Sequence, residues 1–529
     1  MKKILRLIIL PAVFLWMSAC TDILDIDPAS LNSGDQFWKE GKVAVEKALA
    51  GVYSRVRQPF AEGKWIIYGD LTSEFTVRYN SQSWWGFFPV TEGEDGRTFN
   101  HERLDWYRDW SVYYKAVSSA NILIKHTEEM PLSEFGQNET EATKIRNGYL
   151  GEAYFLRAFT YFNMVRIWGD IPIYKEAIES SSGLVNNNGE TKDLATSPEI
   201  DVLHFILEDL EKAIAYLEYD EFGSETWSIR ANKASALTLK AHVNTWLANR
   251  DDANKTTLLN DAIHCIDSVE TFGGYILTNY SDSTAIREMF KGESSETIFE
   301  IYISADNNES FPCTEGNFGR LTLFPDRTNY ANIFQLYTEE RDKLYDMTDY
   351  RKAFFTNWKR GKPWSEMNDP GNTSAEWTGT TVAKYEFFKH DDKADVLEED
   401  AYYVNAPIPI FRLSGLKLLK AEILAKVGRP GDARTALNES RNRCGIGDFS
   451  GTDDELIVGI IEERARELIG EGHSYFDRIR NNYFEGMTSM DPERITGKGY
   501  YWPFAYKLTL TNKALKQLPY WKGKVPEII

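Results

Sequence analysis

Carboxylates are the most numerous side chains in this sequence that could do acid–base chemistry, and their abundance makes pairs of them uninformative. The chain of 529 residues contains 80 Asp and Glu, so the paired carboxylates of a glycosidase would occur throughout by chance. The segment EERARELIGEG combines one basic with three acidic side chains at helical spacings: Arg464, Glu463, Glu467 and Glu471. Because Arg464 can bridge adjacent helical turns, we predict a structural ion-pair network in this segment.

Histidines and glycine-rich loops also argue against catalysis and cofactor binding. Metal-site spacings such as HxH and HExxH do not occur among the seven histidines, which are His101, His126, His204, His242, His264, His390 and His473. The sequence lacks the GxSxG elbow of hydrolases, the GxxxxGK[ST] phosphate loop and a GxGxxG turn after a strand. We therefore predict a protein that is not an enzyme and that has neither a bound metal nor a cofactor.

Aromatic side chains are concentrated in SQSWWGFFPV, residues 81–90, where two tryptophans and two phenylalanines surround one glycine. Polar runs flank this stretch on both sides, so we expect a surface loop. Trp84 and Trp85 could then stack on the C–H faces of sugar rings. Nearby polar side chains would hold the sugar hydroxyls: Arg78, Asn80 and Asp70. In the alternative interpretation, the loop folds inward and its rings fill a gap between helices.

The N-terminal segment MKKILRLIILPAVFLWMSAC is typical of an exported protein. Its apolar run from Leu7 to Met17 follows a basic start and is shorter than the roughly 20 residues that a membrane-spanning helix needs. Its end, MSAC, resembles the lipobox of bacterial lipoproteins, in which the cysteine carries the lipid. We predict a signal peptide at residues 1–19, lipidation at Cys20 and a tether at 20–33. The alternative is an ordinary signal peptide with an incidental cysteine.

Charge and cysteine content exclude several classes of protein. A net charge of −20 repels nucleic acid and anionic lipid headgroups. Beyond Cys20 the cysteines are Cys265, Cys313 and Cys444, an odd number without CxxC spacing. Neither a disulfide framework nor a zinc ribbon is therefore expected, and we predict buried structural thiols.

Several stretches have the apolar periodicity of amphipathic helices. In RNGYLGEAYFLRAFTYFNMVRIWGDIPI the aromatic side chains on the apolar face are Tyr154, Tyr161 and Trp168, so we predict that they belong to the core. Similar periodicity predicts helices near residues 45–56, 105–125 and 203–217. Between residues 272 and 400 this periodicity gives way to scattered Gly, Pro, Asn and aromatic residues, with one strand-like stretch, ETIFEIYIS.

A helix-turn-helix repeat pattern occurs near the C-terminal end of the chain. Ala421 and Ala433 stand twelve residues apart, Leu437 follows four residues later, and Gly428 lies in the expected turn. Small residues at these positions let the two helices of a tetratricopeptide unit pack closely. One unit cannot bury its own apolar face, so other helical pairs must stack on it.

Five segments, in this order along the chain, resemble the SusD/RagB family of outer-membrane glycan-binding lipoproteins of the Bacteroidetes. They are CTDILDIDP, EAYFLRAFTYFNMVRIWGDIPI, IPIFRLSGLKLLKAEILAKVGRPGDARTALNESRNRCGI, EERARELIGEGHSYFDRIR and YWPFAYKLTLTNKALKQLPYW. Two scaffold motifs depart from the family: Ser474 stands where arginine is common, and the tail contains WPF and KQLPY. These departures concern the stability of the scaffold and do not change the assignment to the family.

The resemblance implies a mainly α-helical fold. Tetratricopeptide-like helical pairs would form a right-handed superhelical scaffold, which carries a loop-rich ligand-binding subdomain. The family domain would cover residues 34–529, with the scaffold at about 34–271 and 401–490 and the subdomain at about 272–400.

The resemblance also implies where a ligand binds. Family members commonly bind glycan through loops after the first long helix, which is where Trp84 and Trp85 lie. Further ligand contacts would lie near Phe318 and Arg320, in the segment FPCTEGNFGRLTLF.

The implied function is the capture of an oligosaccharide or polysaccharide at the cell surface. The protein would be anchored by lipid to the outer membrane, would face the exterior and would deliver its ligand, without catalysis, to a SusC-like TonB-dependent porin. A RagB-like peptide receptor on the same scaffold is one alternative. A surface glycosidase is another, but the absence of a catalytic motif and the repeat pattern count against it.

Overall fold

The computed structural model describes most of the chain in segments separated by gaps. The described residues are 34–70, 72, 106–179, 192–304, 335–336, 342, 344–358, 379–385, 388–390, 402–487 and 490–525. Within these ranges the protein is mainly helical, as the sequence predicts, and most of the buried apolar side chains belong to helices.

The helices extend from one end of the described chain to the other. Their bounds are α1 (Gly34–Phe37), α2 (Lys42–Ala61), α3 (Lys64–Gly69), α4 (Ser111–Glu129), α5 (Glu139–Trp168), α6 (Glu199–Tyr216), α7 (Lys233–Leu247), α8 (Lys255–Phe272), α9 (Ser283–Glu288), α10 (Leu413–Lys426), α11 (Pro430–Arg443), α12 (Leu456–Glu467), α13 (Ser474–Arg480), α14 (Pro492–Thr496) and α15 (Lys507–Thr511). Short 3-10 turns occupy Trp38–Glu40, Leu132–Glu134, Met289–Lys291, Tyr350–Phe354, Ala383–Tyr385 and Pro519–Trp521.

Helix α5 shows how the sequence specifies these elements. The Asn138 side chain caps its start by accepting a hydrogen bond from the backbone N–H of Glu141 at 3.1 Å. The aromatic side chains predicted to be core, Tyr154, Tyr161 and Trp168, are all buried, which confirms that prediction. Their rings pack against neighbouring helices and are not available to a ligand.

Neighbouring helices pack in a continuous series. Helix α2 packs against α4, α4 against α5, α5 against α6, α6 against α7, α7 against α8 and α8 against α10. Helices α10 and α11 form the predicted repeat pair, in which Ala421, Ala433 and Leu437 are fully buried. Each helix therefore buries its apolar face against the next, as stacked repeats require.

Short antiparallel strands accompany the helices. They are β1 (Thr297–Ile301), β2 (Gln335–Leu336), β3 (Phe355–Trp358), β4 (Gly379–Val382), β5 (Phe388–His390), β6 (Tyr402–Val404) and β7 (Ile408–Arg412). Strand β1 pairs with β7, strands β2, β4 and β3 form a second sheet in that order, and β5 pairs with β6. The stretch ETIFEIYIS is therefore a strand, as predicted, and its partner β7 continues directly into α10.

The two described cysteines match their prediction. Cys265 and Cys444 are both buried free thiols, whereas Cys313 lies outside the described residues. Burial raises the pKa of the Cys265 thiol to about 12, so this thiol stays protonated and unreactive at neutral pH. Among the helices of the described ranges, none combines the length and the apolar character needed to span a membrane.

A buried ion cluster, defined as Glu296, Lys384, Arg412, Glu467 and Glu471, joins β7 to the end of α12. The Arg412 guanidinium lies 2.8 Å from Glu296, 3.2 Å from Glu467 and 2.7 Å from Glu471. Lys384 donates a hydrogen bond of 2.6 Å to Glu471. All five side chains are buried, so each charge depends on the others for the stabilisation that water would otherwise provide.

The ion-pair network predicted for EERARELIGEG exists, but Arg464 has different partners from those predicted. Instead of bridging adjacent helical turns, Arg464 donates to the Asp477 carboxylate at 2.7 Å and to the backbone oxygen of Gly415 at 2.6 Å. Glu463 pairs with Arg351, at 2.6 Å. These partners come from other elements, because a helix packed on several sides turns its charged side chains toward its neighbours.

A tight junction connects α3 to the turn that follows α12. A side chain at Gly69 would lie 2.0 Å from the backbone oxygen of Gly472, so only glycine allows this approach. The Asp70 carboxylate accepts a hydrogen bond from the backbone N–H of Gly472 at 2.7 Å and is buried. This position corrects the prediction that Asp70 holds ligand hydroxyls, because its carboxylate faces the protein's own backbone.

Replacing Arg412 with methionine should lower the free energy of unfolding by about 3–5 kcal/mol, because three buried carboxylates would lose a cationic partner. Urea-induced unfolding measures this change. A matched control is Arg429→Met, which removes a half-exposed guanidinium that, within the described ranges, pairs with Asp432 alone, at 2.6 Å. Exposed pairs contribute little, so the control should be close to the wild type. Equal losses in the two variants would contradict the stabilising role of the buried ion cluster.

Stability should also respond to pH through Asp70. Burial raises the pKa of Asp70 to about 7, from an ordinary value of 3.8. Between these values the folded state holds a proton that the unfolded chain has lost, so this carboxyl contributes most below about pH 4 and loses its contribution as the pH rises to 7. Asp70→Asn keeps an acceptor for Gly472 and removes the titration.

The free energy of unfolding of the wild type, minus that of Asp70→Asn, should therefore fall between pH 4 and 7 and stay constant above. Urea unfolding at several pH values measures this difference. Glu300→Gln offers an independent comparison, since burial also raises the pKa of Glu300 to about 7. The corresponding difference in the free energy of unfolding should fall over the same pH range. A difference that rises with pH over this range would contradict the buried, protonated state of Asp70.

Candidate functional site

Most of the predicted ligand residues lie outside the described residues. These are Trp84, Trp85, Arg78, Asn80, Phe318 and Arg320. The predicted lipidation residue, Cys20, lies outside them as well. Their roles stay predictions, whereas Asp70 belongs to the buried junction between α3 and the turn at Gly472.

The residues on either side of the candidate ligand segment, defined as residues 71–105, are held together. Lys64 donates a hydrogen bond of 3.0 Å to the backbone oxygen of Trp106, and its ammonium group lies 4.5 Å from the centre of the Trp106 indole. The Tyr68 hydroxyl donates to the backbone oxygen of Tyr107 at 2.6 Å. Helix α3 and the start of the next described segment therefore form a fixed base at both ends of residues 71–105.

This base is buried and polar at once. Lys64 is 1% exposed, and burial lowers its pKa, an effect that nearby Glu62 opposes. The ammonium group is held by the Trp106 backbone, the Trp106 ring and the Glu62 carboxylate, which lies 3.4 Å away. Lys64 thus positions the chain and is not available to a ligand.

An exposed aromatic cluster lies where α8 ends and α7 begins. We call it the aromatic surface, and its members are Tyr219, Phe222, Trp227, Phe272, Tyr275 and Ile276. Phe222, Phe272 and Ile276 are 60%, 66% and 64% exposed, respectively. Single exposed apolar side chains are common in proteins, whereas larger exposed apolar patches are candidate binding surfaces.

Ring contacts join five members of the aromatic surface in two sets. The Phe222 ring meets the Trp227 ring edge to face, with centroids 5.3 Å apart. Trp227 is buried beneath the surface and its centroid lies 4.7 Å from that of Tyr275. The rings of Tyr219 and Phe272 are 6.1 Å apart. The exposed rings therefore rest on buried or half-buried rings.

Hydrogen bonds orient the supporting rings. The indole N–H of Trp227 donates to the backbone oxygen of Ser294 at 2.9 Å, and the Tyr219 hydroxyl donates to the backbone oxygen of Ser268 at 3.3 Å. With their polar ends satisfied by the protein, these rings support apolar faces at the surface. Such faces can stack on the C–H faces of sugar rings or on apolar groups of a protein partner.

The aromatic surface is not apparent from sequence periodicity because two separate segments build it. These segments are YDEFGSETW, which follows α6, and TFGGYI, at the end of α8. Each combines aromatic side chains with glycine, as residues 81–90 do. Applying that criterion to the whole chain would have identified both segments.

Other charged groups in the described chain serve as structural partners. Glu152 accepts a hydrogen bond from the Tyr53 hydroxyl at 2.6 Å and pairs with Arg230, while Asp209 pairs with Arg157 at 2.7 Å. Within the part of the chain that the structure describes, no group of three or more His, Cys, Asp or Glu side chains could hold a metal ion.

Two family models together account for most of the chain. The model described as "SusD family" matches residues 278–521, and the model described as "Starch-binding associating with outer membrane" matches residues 24–244. The two matches do not overlap and follow each other along the chain.

Similar proteins extend over nearly the same length. SusD-like protein P38 of Formosa agariphila is 26% identical over 535 residues, covering 95% of this chain and 96% of that protein. The crystal structure of a SusD homolog from Bacteroides thetaiotaomicron has a TM-score of 0.70 at 24% identity and covers 90% of this chain and 97% of that one. The structure of a putative sugar binding protein from Bacteroides vulgatus has a TM-score of 0.62 at 20% identity and covers 90% of this chain and 98% of that one.

The structural similarity establishes a SusD-like fold for the packed helical pairs and short strands described above. Together with the two family matches, which leave only the ends of the chain and a short central stretch unmatched, it shows that the chain belongs to the SusD/RagB family.

Proposed function

We propose that this protein is a lipid-anchored glycan receptor on the outside of the outer membrane. SusD family proteins are non-catalytic binding proteins, so binding and not hydrolysis is the relevant chemistry. The observation that carries the proposal is the match of residues 24–244 to a family model described as "Starch-binding associating with outer membrane". Similarity to a putative sugar binding protein from Bacteroides vulgatus supports the same ligand class.

The primary ligand contacts in this proposal come from the candidate ligand segment. Trp84 and Trp85 stack on sugar rings, and Arg78 and Asn80 hold hydroxyl groups. The buried base formed by Lys64, Tyr68 and the Trp106–Tyr107 backbone supports this proposal, because it fixes both ends of the segment. Phe318 and Arg320 provide the second set of contacts.

The aromatic surface supplies an additional weak contact for a long polymer. Each sugar ring face that leaves water contributes on the order of 1–2 kcal/mol. Two such contacts with a few hydrogen bonds, less the ordering cost of a flexible chain, correspond to a dissociation constant between roughly micromolar and millimolar. A polymer that engages both surfaces rebinds through its effective concentration, so weak sites are sufficient.

The proposal places the protein beside a SusC-like TonB-dependent porin, to which it delivers the glycan. Lipidation at Cys20 would hold it at the membrane more firmly than a single acyl chain, so the protein would stay near its transporter. The net charge of −20 favours neutral over polyanionic glycans as ligands.

Replacing Trp84 and Trp85 together with alanine should abolish retention of the protein on a cognate polysaccharide gel, because the proposed stacking faces would be lost. Affinity electrophoresis measures retention, and the melting temperature should change little. Leu510→Ala is a control, since it removes a 47% exposed apolar side chain elsewhere. Unchanged retention, or unfolding of the double variant, would contradict the proposed role of these rings.

Replacing Phe222 and Phe272 together with alanine should weaken retention on a polymer and leave binding of a short oligosaccharide unchanged. A short ligand engages only the primary contacts, whereas a polymer also uses the aromatic surface. Affinity electrophoresis and calorimetric titration of the oligosaccharide measure the two effects. If polymer and oligosaccharide binding change equally, the aromatic surface is not a separate contact. If neither changes, the surface does not bind glycan.

A further inference from the structure

A small cavity lies between α3, α4, α5 and the turn that precedes α13. Its wall includes Trp65, Tyr113, Arg166, Glu471, His473 and Phe476. The cavity volume is about 30 Å³, which is room for about two water molecules. A sugar ring cannot enter it, so this cavity is distinct from the proposed glycan contacts.

Arg166 is the distinctive member of this wall. Its guanidinium donates to the side-chain oxygen of Asn163 at 2.8 Å and, through Nε, to the backbone oxygen of Phe162 at 3.4 Å. The rings of Phe162 and Phe476 each lie 4.5 Å from it. None of the carboxylates in the described ranges forms an ion pair with Arg166, although most other arginines in the interior have one.

The carboxylate whose charge acts on Arg166, that of Asp477, is already shared by other cations. Asp477 lies 2.7 Å from both Arg464 and Arg480. Glu422, which also pairs with Arg480, at 2.6 Å, lies 2.8 Å from Lys426. The interior around Arg166 therefore has more cations than carboxylates.

Two further titratable groups in the cavity wall, Glu471 and His473, do not correct this imbalance. Glu471 is engaged by Arg412 and by Lys384 in the buried ion cluster. His473 contacts the backbone oxygen of Ile410 at 3.2 Å, and burial lowers its pKa to about 4, so its ring is neutral at pH 7. Burial lowers the pKa of Arg166 to about 9, which still leaves a positive charge at neutral pH.

Tyr113 provides a second donor in the same wall. Its side chain is 4% exposed, and its hydroxyl makes no hydrogen bond to any residue of the described chain. The hydroxyl oxygen is accessible from the cavity, where a water or an ion can accept its hydrogen bond. The Tyr113 O–H and the Arg166 guanidinium can both donate to the same acceptor.

We propose that this cavity binds one small monovalent anion, either a halide or a formate-sized carboxylate, between the Arg166 guanidinium and the Tyr113 hydroxyl. The anion neutralises the Arg166 guanidinium, which is partly buried and forms no ion pair with a carboxylate of the described ranges, and it connects α4, α5 and the turn at residues 471–473. It also lies against Trp65 of α3, the helix that directly precedes the candidate ligand segment in sequence. This site is independent of glycan binding.

Anomalous diffraction tests the proposal directly. Crystals of the purified protein are grown without halide and soaked in bromide. A bromide peak within hydrogen-bond distance of the Arg166 guanidinium is expected in the wild type and should be absent in Arg166→Met. Water molecules alone at this position in the bromide-soaked wild type would overturn the proposal.

Thermal unfolding at constant ionic strength provides a second measurement. Replacing sodium gluconate, whose anion is too large for the cavity, with sodium bromide or sodium formate should raise the melting temperature saturably by about 1–3 °C. Tyr113→Phe keeps the ring and should weaken the apparent bromide affinity by about 3–10-fold. A larger response to bromide than to formate identifies a halide site, and the reverse identifies a carboxylate site.

Arg434→Met is the matched control, because Arg434 also lies over a phenylalanine ring but pairs with Asp453 at 2.7 Å. It should keep the full response to the anion, whereas Arg166→Met should lose it. If Arg166→Met does not fold, comparing the bromide response of Tyr113→Phe with that of the wild type still tests the proposal. Equal responses in the wild type and in the variants at Arg166 and Tyr113 would overturn the proposal.

Discussion

The pairing of Arg412 with Glu296, Glu467 and Glu471 is the interaction on which the rest of the structure depends. Arg412 ends β7 immediately before α10, so one side chain connects the β1–β7 sheet, the start of α10 and the end of α12. Burial alone would raise the pKa of Glu467, but Arg412, Arg443 and Arg351 lower it to about 2. Every charge in the buried ion cluster is thus stabilised by an opposite charge.

This constraint extends to the region that would meet a ligand. Glu471 belongs to the buried ion cluster, and the next residue, Gly472, donates its N–H to Asp70 at the end of α3. Helix α3 in turn holds both ends of the candidate ligand segment through Lys64 and Tyr68. A continuous set of buried polar contacts therefore runs from the helical scaffold to the base of residues 71–105. Such a base lets a loop vary in sequence while its ends keep their positions.

The helices and the family could be predicted from the sequence, and much of the site could not. Apolar periodicity and small residues such as Ala421 and Ala433 report directly on helix packing, and both lie where the pattern placed them. The role of Asp70 cannot be read from the sequence, because a carboxylate near a polar loop looks the same whether it faces solvent or a backbone N–H. The partners of Arg464 cannot be read from it either, because helical spacing describes one helix and not its neighbours. The aromatic surface depends on two segments that only the fold brings together.

The central claim is that this SusD/RagB family protein binds glycan without cleaving it. Affinity electrophoresis of the purified protein against a panel of neutral and acidic polysaccharides, with analysis of released products, tests it most directly. We expect retention on at least one neutral polysaccharide and no released product. Three results would contradict this claim: retention on none of the panel, retention on acidic polymers only, or release of shortened glycan. Binding of peptide pools in place of glycans would indicate a peptide receptor on the same scaffold.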